Sequence, residues 1–217
     1  EEAKHLLKSN ERFAIATVVG TKGSTPQKPG AKLLVKENGQ GIGTLGGGCV
    51  EGDIWFAAKE MLLDKGPPQK KDYLLNEDIA AREGLVCGGT MTFYIEQLCK
   101  DDSFGTFLNE IVSAYNGNDP VALATIINAK TSREIIGSKM LIKNDKSTTG
   151  TLGTKKLDSY ALQLSEDVIS MGRSLHITTN TGEEIFIEGY TSPPTVVLMG
   201  GGHIAKSVAS LVEHLQY

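Results

Sequence analysis

The 217-residue chain has only three cysteines, Cys49, Cys87 and Cys99, an odd number without paired spacing, which argues against a disulfide framework. No two of its cysteines and histidines show zinc-ligand spacing, so structural zinc is not expected. A basic excess is also missing. Its 22 lysines and arginines against 26 acids give a formal charge of −4, and without a positive field the chain is not expected to bind nucleic acid. It shows neither a signal peptide nor an apolar run of the length a membrane span requires, and with its cysteine pattern this points to a reducing cytoplasm. The length suffices for a sizeable core or for two compact units.

Against these absences stands GTLGGGCVEGD at Gly43 to Asp53. Gly43, Gly46, Gly47 and Gly48 lead directly into Cys49 and an apolar helical pattern. A glycine run lets backbone N–H groups approach an anion, and a helix starting there adds its own unpaired N–H groups and positive dipole end. A thiolate in that field is stabilised, so the segment could hold a phosphate and present a sulfur nucleophile or ligand. A tight turn with a buried, inert cysteine would read the same way.

Context comes from an internal repeat. Gly30–Lys36 (GAKLLVK) returns as Gly137–Lys143 (GSKMLIK), and Gly43–Gly46 (GTLG) returns as Gly150–Gly153, both 107 residues on. Ala14–Val19 (AIATVV) matches Ala122–Ile127 (ALATII) at 108, and Phe93–Glu96 is echoed by Ile185–Glu188 at 92. Four matches in one order indicate duplication of an α/β unit. The duplication then serves as an internal control. Gly46–Cys49 faces Gly153-Thr154-Lys155-Lys156, and Cys87-Gly88-Gly89 faces Thr179-Asn180-Thr181, so the second copy keeps the scaffold letters and loses the thiols and most of the glycines. This favours a specialised site in the first copy that brings Cys49 and Cys87 together, with no equivalent pocket around Lys156 and Thr179. Lys139, Lys143, Lys155 and Lys156 are interleaved with acids and read as a solvated face.

Periodicity and turn residues predict a helix at 1–9 and a buried strand at 13–19, then a loop over 20–30 rich in glycine and proline. Strands at 32–36 and 42–45 are joined by the Asn38-Gly39 turn, and a helix at 49–65 is stopped by Gly66-Pro67-Pro68. Strands at 73–75 and 91–96 flank an irregular segment with Cys87. The second copy repeats the plan with helices near 104–115 and 157–171 and strands near 121–127, 138–143, 175–178 and 184–187. After Ser192-Pro193-Pro194, an apolar strand at 195–199 leads into Gly200-Gly201-Gly202-His203-Ile204-Ala205 and a helix, the opening of a dinucleotide-binding unit in its GxGxxA form. The acidic residue such a unit uses on a ribose about 20 residues further on would fall beyond Tyr217, and Glu213 lies within the helix. His203 could contact a phosphate or substrate, or cap the helix locally. His5, His176 and His214 read as structural or exposed, and Cys99 as incidental.

The expected fold is therefore α/β: a duplicated mixed α/β unit, about 1–98 and 104–192, followed at 193–217 by the first strand and helix of a Rossmann-type domain. The loop GSTPQKPGAKLLV at Gly23–Val35, GTLGGGCVEGD, CGG at Cys87–Gly89 and VVLMGGGHIA at Val196–Ala205 together resemble the XdhC/CoxI family, the accessory proteins of xanthine dehydrogenase and related molybdenum hydroxylases. The resemblance covers nearly the whole chain.

It implies a maturation chaperone rather than a stand-alone enzyme. Such a protein binds molybdenum cofactor in its molybdopterin form, supports its sulfuration with a cysteine desulfurase as sulfur source, and delivers it to a hydroxylase such as xanthine dehydrogenase. Self-association as a homodimer is compatible with this. On that reading Gly46, Gly47, Gly48, Cys49, Glu51, Cys87, Gly88 and Gly89 form the cofactor site. Cys49 is the molybdenum or sulfur contact and Cys87 the second candidate, while Gly200, Gly202 and His203 make a nucleotide site for NAD(P) or another nucleotide. The alternative is an NAD(P)-dependent oxidoreductase that uses the C-terminal segment.

Overall fold

A computed structural model describes residues 1–75, 88–100, 104–193 and 195–215. The first copy runs α1 (Glu2–Lys8), β1 (Phe13–Gly23), β2 (Lys32–Lys36), β3 (Gly41–Gly43), α2 (Gly48–Asp64), β4 (Gln69–Leu74) and β5 (Gly89–Leu98). The second runs α3 (Phe104–Tyr115), β6 (Val121–Asn128), a 3-10 turn (Arg133–Ile135), β7 (Lys139–Lys143), β8 (Thr148–Gly150), α4 (Lys155–Met171), β9 (Ser174–Thr178) and β10 (Glu184–Tyr190). Each copy builds one five-stranded antiparallel sheet, in the orders β3-β2-β1-β5-β4 and β8-β7-β6-β10-β9. The two orders are the same permutation. The repeated letters thus fold into a repeated topology.

Alternation along the central strands explains the layering. Ala14, Ala16 and Val18 of β1 face α2, whose Val50, Ile54, Ala57, Ala58, Met61 and Leu62 recur at helical spacing. In the second copy Ala122, Ala124 and Ile126 face Leu157, Ala161, Val168 and Ile169 of α4 in the same way. The intervening residues face the other sheet: Phe13, Leu34, Val121, Leu123 and Leu141 join a core with α1 and α3, and Val19, Tyr94, Ile127 and Phe186 form a smaller cluster. Each fully buried side chain of this size contributes roughly 1.5–3 kcal/mol.

Polar residues also cross between the sheets. Lys32 Nζ lies 2.6 Å from Glu188 Oε1, and Lys139 Nζ lies 2.6 Å from Glu96 Oε2. Lys32 corresponds to Lys139, and Glu96 to Glu188, so the two copies exchange equivalent ion pairs about a pseudo-two-fold axis. Of the solvated lysine face expected from sequence, Lys155 and Lys156 are exposed, whereas Lys139 is buried and the half-buried Lys143 pairs with Glu110. A third link runs from Lys70 to Glu184, which also accepts from Asn128 and His176. Burial pushes the Glu184 carboxyl up, but the bonds from Asn128 and Lys70 outweigh it and hold the group below its ordinary value.

Three segments differ from expectation. β1 continues through the predicted loop to Gly23, because after a bulge at Val19 its polar end pairs with Gly89–Thr92 of β5. β4 starts at Gln69, four residues early, since a polar edge strand is held by ladder bonds rather than by apolar letters. Residues 195–199 form no strand: a strand persists only by pairing, and the described residues offer this segment no ladder partner. The helix predicted after it is present as α5 (His203–His214), with no buried residue.

Candidate functional site

The loop leading into α2 is built the same way in both copies up to one residue. Thr44 Oγ1 donates to Glu51 Oε2 (2.7 Å), and the same oxygen accepts the N–H groups of Leu45 (2.7 Å) and Gly47 (3.1 Å). In the second copy Thr151 Oγ1 donates to Asp158 Oδ2 (2.8 Å) and the Leu152 N–H to Asp158 Oδ1 (2.7 Å). The carboxylate at this position clasps its own loop. Glu51, read from sequence as a cofactor contact, has Oε2 engaged by three donors, and the Thr44 hydroxyl is the main cause holding its carboxyl below its ordinary value near 4.5. Sequence reading missed Thr44 and Thr151 as the matching half of the clasp, although each stands seven residues before its acid in both copies.

The glycines divide sharply. A Cβ on Gly46 (φ 110°) would lie 2.6 Å from Pro26, and one on Gly153 (φ 100°) 2.8 Å from Ile135, so this glycine serves the fold in both copies. Gly47 and Gly48 have φ of 74° and 67°, in the left-handed region. Their counterparts are Thr154, an extended N-cap at φ −142° whose side chain accepts the Leu157 N–H, and Lys155, already helical. A Cβ on Gly47 would meet nothing within 4 Å. Packing therefore does not require glycine at 47; the backbone conformation does. Cys49 follows as the second residue of α2 and is exposed.

The motifs converge on one loop. Pro26 packs beneath Gly46, while a Cβ on Gly89 would lie 2.5 Å from Lys22 O and 2.6 Å from Ser24 O, so the loop after β1 touches both the Gly46–Cys49 and the Gly88–Gly89 segments. Cys87 lies outside the described residues, and with it the expected meeting of Cys49 and Cys87.

The second copy overturns one expectation. Ser132–Ile135, Gly153–Leu157 and Thr179–Glu183 all contribute to a cavity of about 670 Å³ that includes both Lys156 and Thr179. Thr154, Lys156 and Asn180, which stand in place of Gly47, Cys49 and Gly88, are exposed residues of its lining.

At the C-terminal end Gly200 (φ 109°), Gly202 as N-cap and His203 as first helical residue stand at the start of α5, all exposed. Among the described residues no group of three or more histidines, cysteines or acids is placed to hold a metal ion, and no helix is long and apolar enough to cross a membrane.

The sequence profile of the XdhC and CoxI family matches residues 6–73 and 114–179, more than half of the chain and part of each copy. The chain belongs to the XdhC and CoxI family. Among curated relatives, a probable xanthine dehydrogenase subunit from Bacillus subtilis is 32% identical over 99 residues, covering 44% of this chain and 29% of its own length. The molybdenum cofactor insertion chaperone PaoD of Escherichia coli is 29% identical over 114 residues, covering 50% of this chain and 34% of its own. A crystal structure described as a xanthine dehydrogenase from Bacillus halodurans superposes over 99% of this chain and 59% of the other, with TM-score 0.67 and 19% identity, and so shares the fold. The aligned chain spans about a third of these two curated relatives.

The shared clasp yields a first testable outcome. Glu51→Gln is expected to loosen Gly46–Gly48 and lower stability by about 1–2 kcal/mol, the scale of a charged hydrogen bond at a partly exposed site. Because the folded carboxyl is depressed, its stabilisation is complete above the ordinary value near 4.5 and is lost as pH falls through the lower folded value. The gap between wild type and variant should therefore close in acid. Urea unfolding at a series of pH values, with hydrogen exchange at Leu45 and Gly47, measures both; equal exchange in the two proteins at neutral pH would show that the clasp contributes nothing.

Proposed function

We propose that this chain binds molybdenum cofactor at the first-copy loop, supports its sulfuration and delivers it to a hydroxylase of the xanthine dehydrogenase type. The observation that carries this reading is the point of divergence between two otherwise matching copies. Scaffold, clasp and Gly46 are common to both, and the copies part at Gly47, Gly48 and Cys49. A pair of left-handed glycines next to an exposed thiol is a costly feature for a fold that manages without it in its second half.

The chemistry fits the cargo. Molybdopterin carries a phosphate, which suits N–H groups at the start of a 17-residue helix, and its molybdenum is a soft-sulfur centre that one exposed thiolate can approach without a protein ligand cage. By the 107- and 92-residue correspondences, the segments that line the second-copy cavity align in sequence with 25–28, 46–50 and 87–91 of the first copy, the stretches that carry Cys49 and Cys87. The name of the Escherichia coli relative, a cofactor insertion chaperone, supports the same reading. A cysteine desulfurase would be the sulfur source. A Rossmann-type continuation after 193 belongs to the same proposal. The nicotinamide alternative has only Gly200–His203 and α5 behind it.

The test is to purify the chain from cells that make molybdenum cofactor and to measure bound molybdenum and pterin. Both are expected in comparable amounts. A protein recovered with neither would overturn the proposal.

A further inference from the structure

Two cavities of about 930 and 810 Å³ lie between the copies, and both have Pro67, Pro68 and Ile136 in their walls. They adjoin there as one groove. Arg12, Lys65 and Lys139 line its first half and Lys70, Lys130 and Arg133 its second, while Glu96 is the one acid in either wall among the described residues. This is a local basic excess in a chain whose formal charge is −4. Arg12, Lys70 and Lys139 are balanced by Glu37, Glu184 and Glu96. Lys65, Lys130 and Arg133 are exposed and make no ion pair among the described residues.

The excess does not come from the duplication, because at the 108- and 107-residue correspondences Arg12 and Lys65 face Pro120 and Gly172. Lys65 and Gly172 both take the left-handed C-cap of their helices, with φ of 52° and 57°. Glycine meets that torsion without strain, so lysine at 65 is not the residue the fold alone would choose. Joined, the two cavities exceed the upper end of small-molecule sites, about 1,000 Å³, which favours a length of chain as occupant. Exposed charges act over a Debye length of about 8 Å at physiological salt, so the groove's own cations decide what enters it. A nucleic acid strand is charged along its whole length and would run on from the groove over an acidic protein; a peptide can confine its acids to the groove.

We propose that this groove docks an extended acidic segment of a partner protein, with carboxylates on either side of a short apolar centre. The centre packs on Pro67, Pro68 and Ile136, which both halves share, and the flanking carboxylates meet Lys65 on one side and Lys130 and Arg133 on the other. Neither Cys49 nor the cofactor takes part.

The experiment is fluorescence anisotropy of a labelled peptide, Glu-Glu-Glu-Leu-Phe-Glu-Glu-Glu, titrated with the whole chain. Its controls carry glutamine for every glutamate, or Ser-Ser for Leu-Phe. The acidic peptide is expected to bind about tenfold or more tightly than either control, the scale of several surface ion pairs or of a buried apolar pair, and to weaken as salt is raised. Lys130→Glu combined with Arg133→Glu, both at exposed positions, should weaken binding about tenfold or more. Lys65→Gly should weaken it without lowering stability, since glycine takes the C-cap torsion freely. Lys155→Glu, exposed at the start of α4 and outside the groove, should leave it unchanged. No binding at millimolar concentration overturns the proposal, as do a control peptide that binds equally, a loss in Lys155→Glu as large as in the groove variants, or a thymidine oligonucleotide that competes as well as the acidic peptide.

Discussion

Cys49→Ala is expected to leave folding unchanged and to lower the molybdenum and pterin recovered with the chain by at least about tenfold, with a matching fall in activation of the client hydroxylase. Folding should survive because Cys49 is exposed on the first turn of α2, whose packing residues begin at Val50 and Ile54, and alanine is the best helix former. On the proposed function, cofactor binding should not, because the thiol is the one soft donor in the loop segment where the copies diverge. Cys99→Ala is the control. Cys99 borders a different cleft, between the copies, beside Lys139 and Gly150, and its loss should change neither cofactor content nor activation. Iodoacetamide should also label the exposed Cys49 faster than the half-buried Cys99. A Cys49→Ala protein that retains cofactor and matures its client normally would reduce the thiol to a bystander and leave the helix start as the cofactor contact.

The largest effect on stability is expected from Lys139→Met, at about 3–5 kcal/mol, the cost of leaving a buried partner charge uncompensated. The Lys139 side chain is 6% exposed and Glu96 14%, so little water reaches the carboxylate when the ammonium is removed. The ammonium also lies 5.9 Å from the centre of the Tyr94 ring, a second contact that methionine cannot supply in kind. The pseudo-symmetric Lys32→Met should cost clearly less. Lys32 is 33% exposed, and Glu188 keeps the Tyr190 hydroxyl at 3.1 Å. The double change Lys139→Met with Glu96→Leu should recover most of the loss, since two apolar groups need no partner. Urea unfolding of the four proteins decides the matter; equal losses at Lys139 and Lys32 would show that burial does not set the scale here.

Element type and order were readable because their causes are local. The buried apolar runs at 13–19 and 121–127, helical spacing in 49–65 and the Asn38-Gly39 turn depend on near neighbours, so two copies of one pattern fold to one topology. Failures fell where the cause is remote. The polar start of β4 and the outer end of β1 exist through pairing with β5, and 195–199, apolar as it is, has no such pairing among the described residues. The clasp was half legible. Glu51 could be singled out from its place beside the glycines, but its bond to Thr44 is a matter of loop geometry, visible in the letters only as a Thr–acid spacing repeated in both copies.

Sequence by itself determined the duplication, the family and the segment at which the copies part, because these are carried by identity and order along the chain. Tertiary structure alone separated Gly46 from Gly47 and Gly48, since three identical letters differ only in φ and in what stands opposite them. It alone revealed the crossed ion pairs, whose partners lie 156 and 43 residues apart, and the second-copy cavity, assembled from three segments that meet only when the sheet forms. Backbone torsion and long-range contact are properties of the folded chain, set by close packing of distant residues and not by any residue's neighbours in sequence.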